Sequence, residues 1–456
     1  MRQFTRRELL RDGAYGASAL GAMYILAACG VGGNTSKALS THLKKISGYS
    51  NATIDWGQFS GQTLTLGFET HPFTTGIKPL IPEFEQLTGI KVDMQVSNEN
   101  ELLQKLSVAL SSGQSTPDVF FLENLGQYAR AGWIQPLDQY LHNKKLTDPS
   151  WYKIHDVFPA AFRFATYRNH IYGMPITAEV QVLYYWKNIL SKYGLPVPTT
   201  FDQLLATAKE IKQRAGIAGI GNRGQRGSAS NPWPWMGYEA SFGGRIFDPS
   251  GKPVLNSAAN IKALDFYAEL LREAGPIGAA NMSWSDVEQD FEAKKVAMWT
   301  DSSDFYGSIT SAVSDPKNVG MVMFPRLGSQ NPTPNSWFWL LGMNRKSTVK
   351  DAAWLFLEWA TSPETVAKTA TTTTAPQRES AWQTSSMVKL EGMTGVSTVI
   401  KGLQYASAQH FPWDNPSWPV VGDELSGAIS EAINGQSAKS VLDAAQANSL
   451  KQMSVS

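Results

Sequence analysis

The chain has 456 residues, 42 % of them hydrophobic, which is room for two or three domains with closed cores and excludes a disordered or fibrous protein. Forty lysines and arginines against 39 acids leave a net charge of +1 with no basic block, which argues against nucleic acid or another polyphosphate as partner. Only 17 % of residues are charged while 11 % are aromatic, so a neutral, polar surface with aromatic faces is expected. The single cysteine, Cys29, rules out an intramolecular disulfide and multi-cysteine zinc sites. The six histidines never fall at metal-ligand spacing, and neither a metal nor a cofactor is expected.

At the N-terminus, Thr5-Arg6-Arg7-Glu8-Leu9-Leu10-Arg11 resembles a twin-arginine export motif. An uncharged run from Gly13 to Ala28 follows, too short at 16 residues for the ~20 of a membrane-spanning helix, so it reads as the apolar part of a signal peptide. It ends in Leu26-Ala27-Ala28-Cys29-Gly30, which resembles a bacterial lipoprotein box: small residues let the peptidase grip the chain, and the Cys29 thiol accepts the lipid. Residues 1–28 are therefore expected to be a signal peptide and 29–60 a polar, lipid-anchored tether. The body is expected outside the cytoplasm, held to the membrane through Cys29.

Leu64 to Phe68 alternates like a strand. Ile77 to Leu87 has helical spacing with Leu80, Phe84 and Leu87 on one face, and stops at Gly89. Ile90 to Val96 alternates as a second strand with one buried face. Asn100 to Leu110 is helical by its leucine spacing, and Val119-Phe120-Phe121-Leu122 is a short apolar run of the central-strand kind. This β-α-β-α-β order predicts an α/β, doubly wound unit. A second lobe is expected from Pro175: a strand at 182–186, a helix from Thr200 to about Arg214, another over 260–273, one capped at Ser285-Asp286-Val287-Glu288, and a buried strand at 296–299. An apolar helix over 350–360 and a polar one over 436–456 follow.

Glu123 and Asn124 stand at the carboxyl end of an apolar strand, where open sheets bind ligands, and Asn124 is favoured. Asp301 and Asp304 follow the strand at 296–299 in the same way, with helix capping as the alternative for Asp304. Alternation sets Trp337 and Trp339 on one face and Phe338 on the other. Trp284, Trp233 and Trp235 are further stacking candidates. Gly219-Ile-Gly221-Asn-Arg-Gly224 spells the dinucleotide fingerprint but lacks the strand before and the helix after it, so no nucleotide is expected. Arg223 and Arg226 fall in this glycine-rich stretch, which reads as an exposed, flexible loop able to reach over a cleft.

Seven stretches in order resemble the extracellular solute-binding proteins of ABC importers: Ile81-Pro-Glu-Phe-Glu-Gln-Leu-Thr-Gly-Ile-Lys-Val92, Pro117-Asp-Val-Phe-Phe121, Tyr128-Ala-Arg-Ala-Gly-Trp-Ile-Gln-Pro-Leu137, Ile171-Tyr-Gly-Met-Pro175, Leu255-Asn-Ser257, Ala352-Ala-Trp-Leu-Phe-Leu-Glu358 and Ser362-Pro-Glu364. The resemblance implies two doubly wound lobes joined by hinge strands, approximately 61–174 with 296–335 and 175–295 with 336–456. It implies an acidic ligand position at Glu69, a hydroxyl-accepting carboxylate at Glu179 and a ligand-facing guanidinium at Arg378, for which a plain surface arginine is the alternative. The implied function is capture of a neutral sugar, oligosaccharide or polyol by a monomer that delivers it to a permease. Rival readings are a secreted glycoside hydrolase or lyase using two of Glu179, Asp301 and Asp304, or a binder of a glycerol-phosphate type of ligand.

Overall fold

The computed structural model describes residues 46–406 and 412–454, with the Asn100 side chain left aside. The export motif, Cys29 and the first part of the tether lie outside the described residues. No helix among the described residues is long and apolar enough to cross a membrane.

The first sheet runs in the order Lys91–Ser97, Thr63–Glu69, Val119–Phe121, Leu340–Met343, Gly173–Pro175. Its first three strands are parallel, and Leu340–Met343 is antiparallel to both neighbours. Leu64, Leu66 and Phe68 are buried, as are all three residues of the Val119 strand. The alternating Lys91 strand is an edge strand, so Val92 and Met94 are only half-buried and Val96 is exposed. The expected helix over 77–87 is broken into Pro72–Ile77, a short 3-10 turn at Lys78–Leu80 and Ile81–Thr88. Pro79 and Pro82 cause the breaks, since proline fits the first turn of a helix and interrupts any later one. Gly89 does end the last segment, in the left-handed conformation with φ 70°.

The second sheet is built around Glu179–Trp186. Met298–Ser302 pairs with it on one side; Val319–Met323 and Ser336–Trp337 pair on the other, all antiparallel. The lobe boundaries expected from sequence are corrected by this pairing. Residues 296–335 belong to the second lobe, whereas Leu340–Met343 and the helix Lys350–Ala360 belong to the first, where Phe356 packs on Phe68 and Phe84. The chain crosses at 176–178, returns at 338–339, and crosses again after Arg378 to the helix Ser385–Tyr405, where Gly402 lies against Val180.

Three local expectations change as well. Residues 46–60 are not tether but part of the first lobe: Tyr49 is fully buried with its hydroxyl 2.9 Å from Thr365 Oγ1, and Trp56 packs edge-on to Trp151. The helix Trp284–Glu292 is capped by Ser283 with Asp286 rather than by Ser285. Residues 219–224 are buried, not a flexible loop: Gly221 bridges to Trp299, and a Cβ on Gly219 would lie 1.9 Å from the Ala208 carbonyl oxygen. Glycine is there because backbone passes against backbone. Gly219→Ala should lower stability by about 1–3 kcal/mol, the usual range for overpacking, measured as a drop in the urea midpoint at unchanged slope.

Candidate functional site

The first wall is built at the carboxyl edge of the parallel strands. Glu69 ends one strand and Glu123 follows its neighbour, the register being Gly67 opposite Phe120. Both side chains are buried, at 3 % and 9 % exposure. Burial is the main cause raising both carboxyls above their usual range; Glu99 adds to it for Glu69, and Glu69 itself adds to it for Glu123. Apart from each other, Glu69 Oε2 and Glu123 Oε1 find no hydrogen-bond donor among the described residues. Beside them His71 Nδ1 accepts from the Phe73 amide at 3.0 Å, and its ring packs edge-on against Phe121 and Trp339 at 5.4 and 5.0 Å. Burial lowers the His71 pKa to about 3, so this imidazole is neutral.

The second wall starts where the chain has just crossed. Glu179 opens the central strand and pairs directly across the ladder with Trp337, which sets the two side chains beside each other on one face. The Glu179 carboxylate accepts from Thr177 Oγ1 at 3.1 Å and Ser302 Oγ at 3.0 Å; burial, then Asp304, raises its pKa. Trp337 is packed edge-on by Trp339 at 5.3 Å and Trp413 at 4.6 Å, and its Nε1 has no partner among the described residues. Trp337 and Trp339 do share a face, and the chain of rings from His71 through Trp339 to Trp337 joins the two walls.

Arg223 supplies the positive charge. Its Nε and Nη2 reach Asp301 Oδ2 and Oδ1 at 2.9 and 2.5 Å, and its guanidinium lies 5.1 Å from the centre of the Trp233 ring. Asp301 also accepts from Trp299 Nε1 at 3.1 Å and the Ser302 amide at 2.8 Å. The field of Arg223 extends to Glu179 and Asp304 in its own lobe and to Glu99 in the other.

Glu179 thus stands beside Trp337 with Asp304 acting on it, and Glu69 stands with Glu123 at the end of the first sheet, two groups linked by the rings from His71 to Trp337. Asp304 Oδ1 is buried without a partner among the described residues, and its side chain makes no cap bond to the helix Phe305–Ala312; burial raises its pKa. Asp301, expected as a ligand group, is occupied by Arg223 and acts by positioning it. Asn124 is half-buried with its side chain toward the Tyr128 hydroxyl, and the neighbouring Glu123 takes the inward position instead. Trp284 is 45 % exposed and stacks on Phe305 at 5.4 Å, which stacks on Trp299, so it stands at the rim. Arg378 is corrected outright. It is fully buried inside the first lobe, donating to the Thr361 carbonyl at 2.7 Å and the Lys153 carbonyl at 2.9 Å and lying over Tyr152. Nor is it a surface arginine. Trp235 is core, and Arg226 is exposed on Asp423. Glu99, whose charge acts on Glu69 and Glu123, carried no usable sequence signal.

Removing Arg223 would leave Asp301 buried and uncompensated. Arg223→Ala should cost about 3–5 kcal/mol of unfolding free energy, measured by urea denaturation; a loss below about 1 kcal/mol would contradict this account of the pair.

A family model of bacterial extracellular solute-binding proteins matches residues 70–367. The erythritol/L-threitol-binding protein of Mycolicibacterium smegmatis is 28 % identical over 388 residues, covering 80 % of this chain and 79 % of the relative. The mannitol-binding protein of Pseudomonas aeruginosa is 28 % identical over 422 residues, covering 86 % and 93 %. Among solved structures, an ABC transporter solute-binding protein of Agrobacterium radiobacter in complex with ribitol superposes with a TM-score of 0.77 at 26 % identity, covering 86 % of this chain and 99 % of that one. Two α/β lobes joined by crossing strands and a family match across most of the body agree: the chain belongs to the bacterial extracellular solute-binding proteins.

Proposed function

We propose that this protein captures a small neutral polyol or sugar between its lobes and presents it, chemically unchanged, to the permease of an ABC importer. The observation that carries the reading is a set of buried polar atoms at the cleft: Glu69 Oε2 and Glu123 Oε1, which find no other donor, and Asp304 Oδ1 and Trp337 Nε1, which find no partner, among the described residues. Each such group costs about 1–3 kcal/mol when left unmet. Hydroxyl groups match the set, because each donates to a carboxyl oxygen and accepts from an indole N–H, while the C–H faces of a polyol lie on Trp337 and Trp339. The names of the relatives, erythritol/L-threitol-binding and mannitol-binding, lean the reading toward acyclic polyols. Closure about the crossings at 176–178 and 338–339 would complete the site.

The hydrolase reading is the weaker one, since Asp301 is committed to Arg223 and the family binds solutes. A phosphate-bearing ligand would need more cation than is offered, since Arg378 is buried elsewhere and Arg226 pairs with Asp423.

A thermal-shift and calorimetric panel of tetritols, pentitols, hexitols and disaccharides should give one class that raises the melting temperature and binds stoichiometrically without product. Trp337→Ala should weaken that binding by about 2 kcal/mol or more, roughly thirtyfold. An unchanged Kd would remove Trp337 from the site, and a panel with no binder would remove the reading.

Export and anchoring follow from the N-terminal motifs. Residues 1–28 would be removed and Cys29 lipidated, so labelled palmitate should be incorporated by the wild-type chain and lost in Cys29→Ala. Equal labelling of both would contradict the anchor.

A further inference from the structure

The carboxyl groups of the cleft outnumber its cation. Glu69, Glu99 and Glu123 come from the first lobe, Glu179 and Asp304 from the second, and each acts electrostatically on at least one other. Arg223, the guanidinium whose field reaches Glu99, Glu179 and Asp304, has its fork closed on Asp301. Glu69 and Glu123, both more than nine-tenths buried, interact directly, and the protein offers no donor to Glu69 Oε2 or Glu123 Oε1 among the described residues. Facing carboxyl oxygens are held together by a proton or by a positive group between them. Trp337 Nε1 is an independent orphan on the opposite wall, a buried donor at 7 % residue exposure, and marks this as a place where ligand atoms are met rather than an acidic patch alone.

We propose, building on the polyol reading, that the site also takes amino-deoxy polyols, with the ammonium lying between Glu69 and Glu123, and that it rejects carboxylated and phosphorylated polyols. An ammonium brings three N–H donors and no acceptor, which suits a wall whose unmet atoms are mostly acceptors. Its charge takes the place of the proton between the two carboxyls. A carboxylate or phosphate brings only acceptors and like charge, with no uncommitted guanidinium to receive it.

The test is calorimetry at neutral pH with three matched probes in two series: ribitol and D-mannitol, their 1-amino-1-deoxy derivatives, and the corresponding aldonates. In the series whose alditol binds, the amine should bind at least as tightly as the alditol and the aldonate about a hundredfold more weakly. Glu69→Gln and Glu123→Gln, each checked for cooperative melting, should lower the amine-to-alditol affinity ratio about tenfold or more. The proposal is overturned if the alditol binds and the amine is about a hundredfold weaker, if the aldonate binds as well as the alditol, or if the ratio is unchanged in a folded variant. Binding of neither alditol nor amine overturns the polyol reading and this proposal together, and is distinct from alditol-only binding, which overturns this one alone.

Discussion

The ion pair of Arg223 with Asp301 lies under the second wall of the cleft, and much of the site follows from how little charge it leaves over. A buried guanidinium is tolerable only with a well-placed acceptor. Here the fork is met by both oxygens of one carboxylate, which is itself tied to the Trp299 indole and the Ser302 amide. The pair is near neutral, so the other carboxyls must be stabilised by hydroxyls, by a retained proton or by ligand. Glu179 is met by the hydroxyls of Thr177 and Ser302, while burial raises the pKa of Glu69 and of Glu123. A site of this kind is uncharged in effect while dense in hydrogen-bonding capacity, which is what a hydroxylated ligand requires.

Backbone crossing does the rest. Because Ser336–Trp337 pairs with the start of the central strand of the second lobe and Leu340–Met343 pairs within the first sheet, Trp337 stands at the start of the crossing and Trp339 within it. Their rings remain in contact, and His71 extends the contact to the end of the first strand. The aromatic surface of the cleft is thereby continuous with the hinge, so motion of the lobes moves the surface that would hold ligand.

The glycines of 219–224 illustrate how a local pattern can be read two ways. Their spacing resembles a phosphate loop, and their density suggests mobility. In the folded chain they instead allow the segment to lie against the helix Phe201–Ala215 and the strand Met298–Ser302, carrying Arg223 to Asp301. Small residues were needed for packing, and the arginine was buried with them. The reverse holds for Arg378, where a polar residue after a proline turn looked accessible and is enclosed by carbonyls of its own lobe.

Amphipathic spacing, capping residues and short apolar runs were enough to establish an α/β body with parallel strands near its start, because those features depend on neighbours a few residues away. Asp304 and Trp337 became candidates on local grounds, the end of an apolar strand and an alternating crossing, whereas Glu69 and Glu179 became candidates through the family resemblance. What only the tertiary structure decided was which sheet each later strand joins and which carboxylate already has a partner. Both depend on contacts between residues far apart in the chain: Val182 with Asp301 and Met323, Arg223 with Asp301. A short buried strand has the same apolar pattern in either lobe, and an aspartate reads the same whether it faces a ligand or an arginine, so the outcome rests on packing that no local pattern encodes.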